Sequence, residues 1–202
     1  MQNSSDRWIK PLTLSGQDVT LEPLKVEHAA ALADATRDGM LWKLWFTTVP
    51  SPEQSDEYVY KAVAARENGG ALAFVVRDNR SARLIGSTRY CNVDETNQIG
   101  YTWYPKQAQR TAVNTECKFL LLRHAFEQLG AIAVELRTHW HNHRSRDAIL
   151  RLGAKQDGVL RHHQQTADAA FRDTVVFSII GPEWPAIKKS LLFKLETPNS
   201  SS

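Results

Sequence analysis

A loop that precedes a predicted helix carries the residues best suited to hold a phosphate group. The segment Pro105–Thr111 follows the strand-like run Ile99–Tyr104 and leads directly into helical spacing. A helix entered from such a loop presents free backbone N–H groups and the positive end of its dipole. Arg110 can add a charge-assisted hydrogen bond, and Asn114 or Thr115 can cap or line the same turn. The spacing alone fits both a phosphate site and an ordinary capped helix.

Five histidines between residues 139 and 163 suggest a metal site, which the cysteine pattern does not support. They stand at positions 139, 141, 143, 162 and 163. A structural zinc site wants four well-spaced ligands, usually including cysteine, and a catalytic site wants three. Cys91 and Cys117 fall inside a predicted strand and a predicted helix, away from these histidines. We therefore expect a polar loop and no metal.

Three aromatic residues, Trp42, Trp45 and Phe46, lie in a loop over residues 41–52. Ligand sites favour aromatic side chains, so these residues can form an apolar wall. Large aromatic residues are also common in protein cores, so they can equally pack between the first two helices. The sequence leaves both interpretations open.

The period of the apolar residues predicts one α/β (α+β) domain over residues 16–195. Strand-like alternation covers 18–23, 72–77, 83–92, 98–104, 132–138, 159–165 and 173–180, and helical spacing covers 26–37, 53–67, 112–129, 145–152 and 182–195. The three strands between 72 and 104 are typical of an antiparallel meander. We expect residues 1–15 to be a flexible lead-in and residues 196–202 to be a disordered tail.

The bulk composition is typical of a globular protein without nucleic-acid or membrane partners. The chain has 202 residues and a net charge of +3, with 42% hydrophobic and 23% charged residues. So small a charge does not indicate a nucleic-acid binder, and no apolar run approaches the roughly 20 residues of a membrane helix. Two unpaired cysteines and a polar N-terminus without a signal-peptide core predict a cytoplasmic protein.

Two motifs and their order indicate a family. The loop Gln109-Arg110-Thr111-Ala112-Val113-Asn114 is similar to Gln/Arg-x-x-Gly-x-Gly/Ala, although Ala112 and Asn114 stand where glycine is usual. After the next strand, Asn142-His143-Arg144-Ser145 matches Asn-x-x-Ser, and Ala148-Ile149 and Leu152-Gly153-Ala154 follow in register. Together with the closing hairpin over 161–180, these motifs resemble the GNAT superfamily of N-acetyltransferases. Within it, they are similar to the ribosomal-protein N-terminal acetyltransferase branch.

The resemblance implies a mixed, mostly antiparallel sheet of about seven strands with helices on both faces and a splayed pair of central strands. It also implies acetyl-CoA as the acetyl donor. In that case Asn142 hydrogen-bonds the pantetheine and Ser145 donates a proton to the leaving thiolate, although Ser145 can also serve as a helix N-cap. The implied CoA-binding residues are Tyr101, Thr102, Trp103, Gln109, Arg110, Thr111, Ala112, Val113, Asn114, Thr115, Asn142 and Ser145.

The resemblance leaves the general base open. Many family members carry a carboxylate on the strand that begins here at Gln98, and an amide cannot accept the proton. We choose His163, because histidine has an ordinary pKa near 6.5, with Asp173 as its orienting partner. The alternatives are that His162 and His163 are both merely surface residues of a hairpin, or that water relays the proton to a more distant group such as Glu116. The residues expected to line the acceptor pocket are Trp42, Trp45, Phe46, His163 and Asp173.

The implied function is transfer of an acetyl group to a primary amine by direct attack in a ternary complex. The acceptor can be a protein N-terminus, an amino acid or peptide, or a small amine. One alternative is a GNAT-fold module that binds CoA without turnover and acts as a sensor. Another is a partner-binding scaffold, since a fold does not fix a function. The oligomeric state is open, with a homodimer among the options.

Overall fold

A single mixed sheet of eight strands positions the rest of the described chain. The computed structural model describes residues 6–93, 97–166 and 169–197. The strands are β1 (Leu14–Ser15), β2 (Val19–Pro23), β3 (Ala71–Asp78), β4 (Leu84–Cys91), β5 (Gln98–Trp103), β6 (Ala133–His139), β7 (Lys155–Gln165) and β8 (Phe171–Ile180). The helices are α1 (Asp6–Ile9), α2 (Ala29–Arg37), α3 (Ser55–Glu67), α4 (Ala112–Glu127), α5 (His143–Arg151) and α6 (Trp184–Glu196).

The strand order is β1-β2-β3-β4-β5-β6-β8-β7, and every neighbouring pair is antiparallel except β5 and β6. This order confirms the predicted mostly antiparallel α/β fold. The two-residue strand β1 is an addition to the expected set of about seven strands.

Helices cover both faces of the sheet, which explains why β3 is almost continuously apolar. Leu72, Phe74 and Val76 belong to the core on the side of α4 and α6. Ala73 and Val75 alternate with them and belong to a second core with residues of α2 and α3. A strand buried on both faces needs apolar residues at every position rather than at every second one. No helix in the described ranges is long and apolar enough to cross a membrane.

The start of the described chain is packed, contrary to the expected flexible lead-in. Trp8 of α1 is only 3% exposed, and its ring meets the Tyr90 ring edge-on with 5.1 Å between centroids. A buried aromatic pair of this kind holds residues 6–15 against the sheet and is the reason for the difference. Of the expected disordered tail, residues 196–202, the structure describes only Glu196, which is the last residue of α6, and Thr197. Residues 198–202 lie outside the described residues.

The two central strands diverge, as the resemblance implies. In the described chain β5 and β6 are paired only at Gln98 and Glu135. Tyr101 has a left-handed backbone with φ of 49°, and the register against β4 shifts at this point. A bulge of this type bends its strand and interrupts the ladder. The gap between β5 and β6 therefore opens toward the carboxyl ends of both strands.

A buried carboxylate fixes α4 against the edge of the sheet. Glu116 of α4 accepts three backbone N–H bonds, from Gln17 (2.7 Å), Asp18 (2.8 Å) and Val19 (2.8 Å). A Cβ atom at Gly16 would lie 2.5 Å from the Glu116 carboxyl carbon, so any other residue there would displace the carboxylate from these bonds. Because its oxygens are used at the far side of α4, Glu116 is not available for the proton relay considered above.

We expect Glu116→Gln to lower the free energy of unfolding by about 2–4 kcal/mol, because an amide leaves buried N–H groups without an acceptor. Urea unfolding followed by circular dichroism measures the change. The matched control is Glu57→Gln, which removes an exposed ion pair with Lys61 on α3 and should cost no more than about 0.5 kcal/mol. Equal losses in the two variants would contradict the clamp.

Candidate functional site

The loop before α4 is shaped by its own polar side chains. Gln109 donates its Nε2–H to the carbonyl of Tyr104 at 3.0 Å. Thr111 is the N-cap of α4, since its Oγ1 accepts the Val113 N–H at 3.3 Å and donates to the Ala108 carbonyl at 2.7 Å. These side chains hold the loop in place. The groups of this loop that are left free for a ligand are the backbone N–H groups of the first turn and the exposed Arg110 side chain.

The missing glycines of this loop cause no strain. Ala112, exposed at the surface, and Asn114, half-buried, lie inside α4 with helical backbone. The left-handed residue is Arg110, with φ of 62°. The left-handed backbone of this turn therefore falls at Arg110, and not at either of the two positions where the motif has glycine. The first turn, which also holds the half-buried Thr115, fits a phosphate-bearing ligand such as CoA.

The three expected CoA-binding residues of β5 point their side chains to different surroundings. Tyr101 is exposed, at 51%. Thr102 bonds to Thr88 (2.8 Å) on the α4 side of the sheet, whereas Trp103 is buried in the core with α2 and α3. The three side chains therefore have no common direction. What all three residues can present to the gap is their backbone, which the bulge removes from regular strand pairing.

The start of α5 presents two polar groups at the carboxyl end of β6. Asn142 is the N-cap, and its Oδ1 accepts the Ser145 N–H at 3.1 Å. The alternative role of Ser145 as the N-cap is therefore wrong, because Asn142 performs it. Among the described residues neither the Ser145 hydroxyl nor the Asn142 amide nitrogen has a protein partner. Both donors remain for a ligand.

His163 lies half-buried on β7, with Thr174 as its partner. Its Nδ1 is 3.1 Å from the Thr174 Oγ1. Burial lowers the pKa of His163 below 6.5, and Arg137 and Arg172 lower it further, while Glu135 opposes them. The imidazole is therefore neutral at neutral pH, which is the form that accepts a proton.

Asp173 does not orient His163, contrary to our expectation. Its carboxylate accepts the backbone N–H of His162 at 2.9 Å and pairs with Arg161 at 2.7 Å. The physical reason is a bulge in β7, where Leu160 pairs with Thr174 but Gln164 pairs with Arg172. His162 takes a left-handed φ of 50° there, and the change of register places His163 against Thr174.

A cleft of about 230 Å³ lies beside the ends of β6 and β7. Its lining consists of Trp45, His139, Trp140, His141, Arg161, His162, Phe171 and Asp173. Trp45 meets the His139 ring edge-on at 4.9 Å, and Phe46 lies 6.3 Å from the same ring. Of the expected acceptor residues, Trp45 and Asp173 line this cleft and Phe46 borders it. Trp42 and His163 are not among its lining residues.

The histidines and cysteines do not assemble into a metal site. Within residues 6–93, 97–166 and 169–197 no three His, Cys, Asp or Glu side chains are placed to hold a metal ion. Cys91 and Cys117 are free and buried, as the sequence predicts. Burial raises the pKa of Cys91 to about 11 and that of Cys117 to about 12, so neither thiol ionises readily.

Lys118 is a buried charged group that the sequence analysis missed. It is 5% exposed, and its Nζ donates to the Thr102 Oγ1 at 2.5 Å on the α4 side of the gap. Burial lowers its pKa from 10.5 to about 8. A lysine inside the apolar run Cys117–Leu122 is the signal that could have identified it. The sequence analysis also missed Arg89, Arg137 and Arg172, which lie on the opposite face of the sheet.

Comparison with known proteins finds one family model and several solved structures that are similar to this chain. The family profile of the Acetyltransferase (GNAT) domain matches residues 18–155. A GCN5-related N-acetyltransferase from Brucella melitensis is similar at 27% identity, over 92% of this chain and 86% of that one, with a TM-score of 0.81. RimJ of Mycobacterium smegmatis, in complex with CoA-disulfide, shares the fold at 20% identity, over 92% and 95% of the chains, with a TM-score of 0.76. The comparison with curated proteins gave no match.

We expect Lys118→Met to raise the free energy of unfolding at pH 7 by about 1–3 kcal/mol, because it removes a charge buried without a carboxylate. The lowered pKa means that only the unfolded chain keeps this proton between pH 8 and 10.5. The wild-type chain therefore gains stability as the pH rises through this window, and the advantage of the variant shrinks. Urea unfolding at pH 7 and pH 10 measures both effects, with the exposed Lys61→Met as control. A constant advantage would contradict the assignment.

Proposed function

Because the chain belongs to the GNAT acetyltransferase family, we propose that it transfers an acetyl group from acetyl-CoA to a primary amine by direct attack in a ternary complex. One observation carries this proposal. The strands β5 and β6 diverge toward their carboxyl ends, and each is followed at that edge by a helix N-terminus. The antiparallel hairpin of β7 and β8 brings His163 to the same edge. The proposed donor site and the proposed base therefore lie at the same open edge of the sheet.

In this proposal, different groups of the donor site bind different parts of acetyl-CoA. Acetyl-CoA supplies the activated acetyl thioester. The backbone N–H groups of 110–115 and the Arg110 guanidinium bind its phosphates. The amide nitrogen of Asn142 binds the pantetheine arm, and the Ser145 hydroxyl holds a proton for the leaving sulfur. This division follows from the partners above, since the Asn142 oxygen is already used by the Ser145 N–H.

His163 is the proposed general base. Its neutral form is present at neutral pH, and Thr174 holds its Nδ1. With Nδ1 protonated toward Thr174, Nε2 is free to take the proton of the amine, directly or through one water molecule. A histidine base makes a carboxylate at position 98 unnecessary. The side-chain oxygen of Gln98 accepts a hydrogen bond from Asn92 at 2.7 Å and has no basic character.

The first experiment is a calorimetric titration with CoA, followed by acetyl-CoA-dependent thiol release with a panel of amines. The panel contains free amino acids, short peptides, polyamines, aminoglycosides and polymyxins. We expect micromolar CoA binding and turnover with at least one class. Binding without turnover across the panel would favour the CoA-binding module without activity. Absence of CoA binding would overturn the proposal.

We expect His163→Gln to reduce kcat at pH 7.5 by about 10²–10³-fold, which is the usual contribution of a general base. In the wild-type enzyme kcat should fall on acidification with an apparent pKa below 6.5, as the lowered pKa of His163 requires. The variant should lose this acid limb. The control is His28→Gln in the turn before α2, whose profile should match the wild type. An unaltered limb in His163→Gln would assign the role to another group.

Substitutions at the start of α5 separate binding from helix capping. Asn142→Asp keeps the cap oxygen but removes the amide donor, whereas Asn142→Ala loses both and about 1 kcal/mol of stability. We expect both to raise KM for acetyl-CoA about tenfold. Ser145→Ala should lower kcat and leave stability unchanged, because the Ser145 backbone N–H makes the cap bond. Steady-state kinetics and thermal unfolding distinguish these effects. Wild-type kinetics in Asn142→Asp would limit Asn142 to capping.

A further inference from the structure

The sheet face that carries α2 and α3 holds an excess of guanidinium groups near the gap. Arg137 on β6 faces the same side as Arg172 on β8, because His139 and Thr174 are paired antiparallel partners. Arg89 on β4 adds a third cation, against the Tyr101 ring. Glu135 is the carboxylate of this region, and Arg137 holds it at 2.5 and 3.2 Å. Among the residues that the structure describes, the guanidinium groups of Arg89 and Arg172 have no carboxylate partner.

Arg89 is one of these two groups, and it is buried. It is only 8% exposed, with its guanidinium carbon 5.2 Å from the Tyr58 ring centroid and 4.2 Å from that of Tyr101. Its Nε is buried without a hydrogen-bond partner in the described chain. A buried charge is costly unless it is both paired and hydrogen-bonded. The stacking on two rings offsets only part of that cost, and no anionic partner of Arg89 is found within the described residues.

Arg172 is the second group, and it lies beside the proposed base. Its Nε donates to the Thr174 Oγ1 at 3.2 Å, the same hydroxyl that lies 3.1 Å from the His163 Nδ1. No carboxylate of the described residues pairs with Arg172, and burial lowers its pKa. Since a guanidinium stays charged in proteins, it needs an anion rather than deprotonation. Its remaining N–H groups are available for one.

The other unsatisfied groups on this face are donors as well. His139 is 4% exposed, and its Nδ1 accepts the His141 N–H at 3.1 Å. Its Nε2 therefore carries the proton, and like the Trp103 indole nitrogen it is buried without a partner in the described chain. Buried polar groups in native proteins are nearly always hydrogen-bonded. The described part of this face therefore has unpaired donors that an acceptor could satisfy.

We propose, building on the function proposed above, that the acyl acceptor is a small amine with a carboxylate next to the reacting nitrogen, as in a free α-amino acid. Arg172, assisted by Arg89, binds the carboxylate in the fork geometry that guanidinium and carboxylate groups share. Arg172 and His163 meet the same threonine hydroxyl, so the anion and the amine they receive must be close together on the acceptor. A peptide N-terminus has no carboxylate at that position.

Binding of reaction products tests the proposal without turnover. The ligands are the N-acetyl derivatives of alanine, leucine, phenylalanine and glutamate, each as the free acid and as the carboxamide, titrated calorimetrically into the full chain. The amide imitates the first residue of a peptide and keeps every other group. For at least one pair we expect the acid to bind about tenfold or more tightly than the amide. Equal affinity within all four pairs, or no binding of any ligand, would overturn the proposal.

Variants locate the anion site. Arg172→Gln should abolish the preference for the acid while leaving the affinity for the amide unchanged, and Arg172→Lys should retain part of it because it keeps the charge without the fork. The control is Arg83→Gln in the exposed turn before β4, which should behave as wild type. A preference that survives Arg172→Gln would contradict the assignment. Acid-selective binding without thiol release would refute the proposed turnover and leave this site standing.

Discussion

The separation of β5 from β6 is the constraint on which the functional architecture depends. Each strand is paired on its outer side, β5 with β4 and β6 with β8, so closing the gap would distort one of these ladders. The bulge at Tyr101 puts a bulky residue in left-handed backbone, which is costly and persists only when the surroundings enforce it. Backbone groups along the opening then require partners from outside the sheet. A pantetheine arm that hydrogen-bonds along a strand is one such partner.

Positive charge borders this opening from both faces of the sheet. Lys118 lies on the α4 side with a threonine as its partner, and Arg89 lies on the opposite side between two tyrosine rings. Burial lowers the pKa of His163, and Arg137 and Arg172 lower it further. The arginines thus have two effects. They attract anionic groups, and they add to the effect of burial that keeps the neighbouring imidazole in its neutral, proton-accepting form. Binding of a carboxylate beside Arg172 would partly cancel that depression, so the base becomes stronger once the acceptor is seated.

The helices and strands could be predicted from the sequence wherever the apolar periodicity extends over many residues, as in α4 and β8. The splayed sheet was predicted from the family resemblance. The hydrogen-bond partners of polar residues could not be predicted. Glu116 bonds to residues 97–99 positions away, a pairing that no local pattern contains. The bulge at His162 exchanged the expected partner Asp173 for Thr174, because a bulge changes which residues share a face. A single sequence gives the type of each side chain but not the register that brings two of them together.

Donor binding and acceptor recognition are built from parts with different mechanical support. The loop at 105–111 and the start of α5 are continuous with central strands and are held by side-chain bonds within the same segment, such as those of Thr111 and Asn142. The proposed acceptor side combines the loop that carries Trp45 with the exposed end of the β7–β8 hairpin. Loops and hairpin ends tolerate substitution better than core elements do. The choice of amine can therefore change through residues such as Trp45 and Phe171 while the donor site, which depends on the core, stays the same.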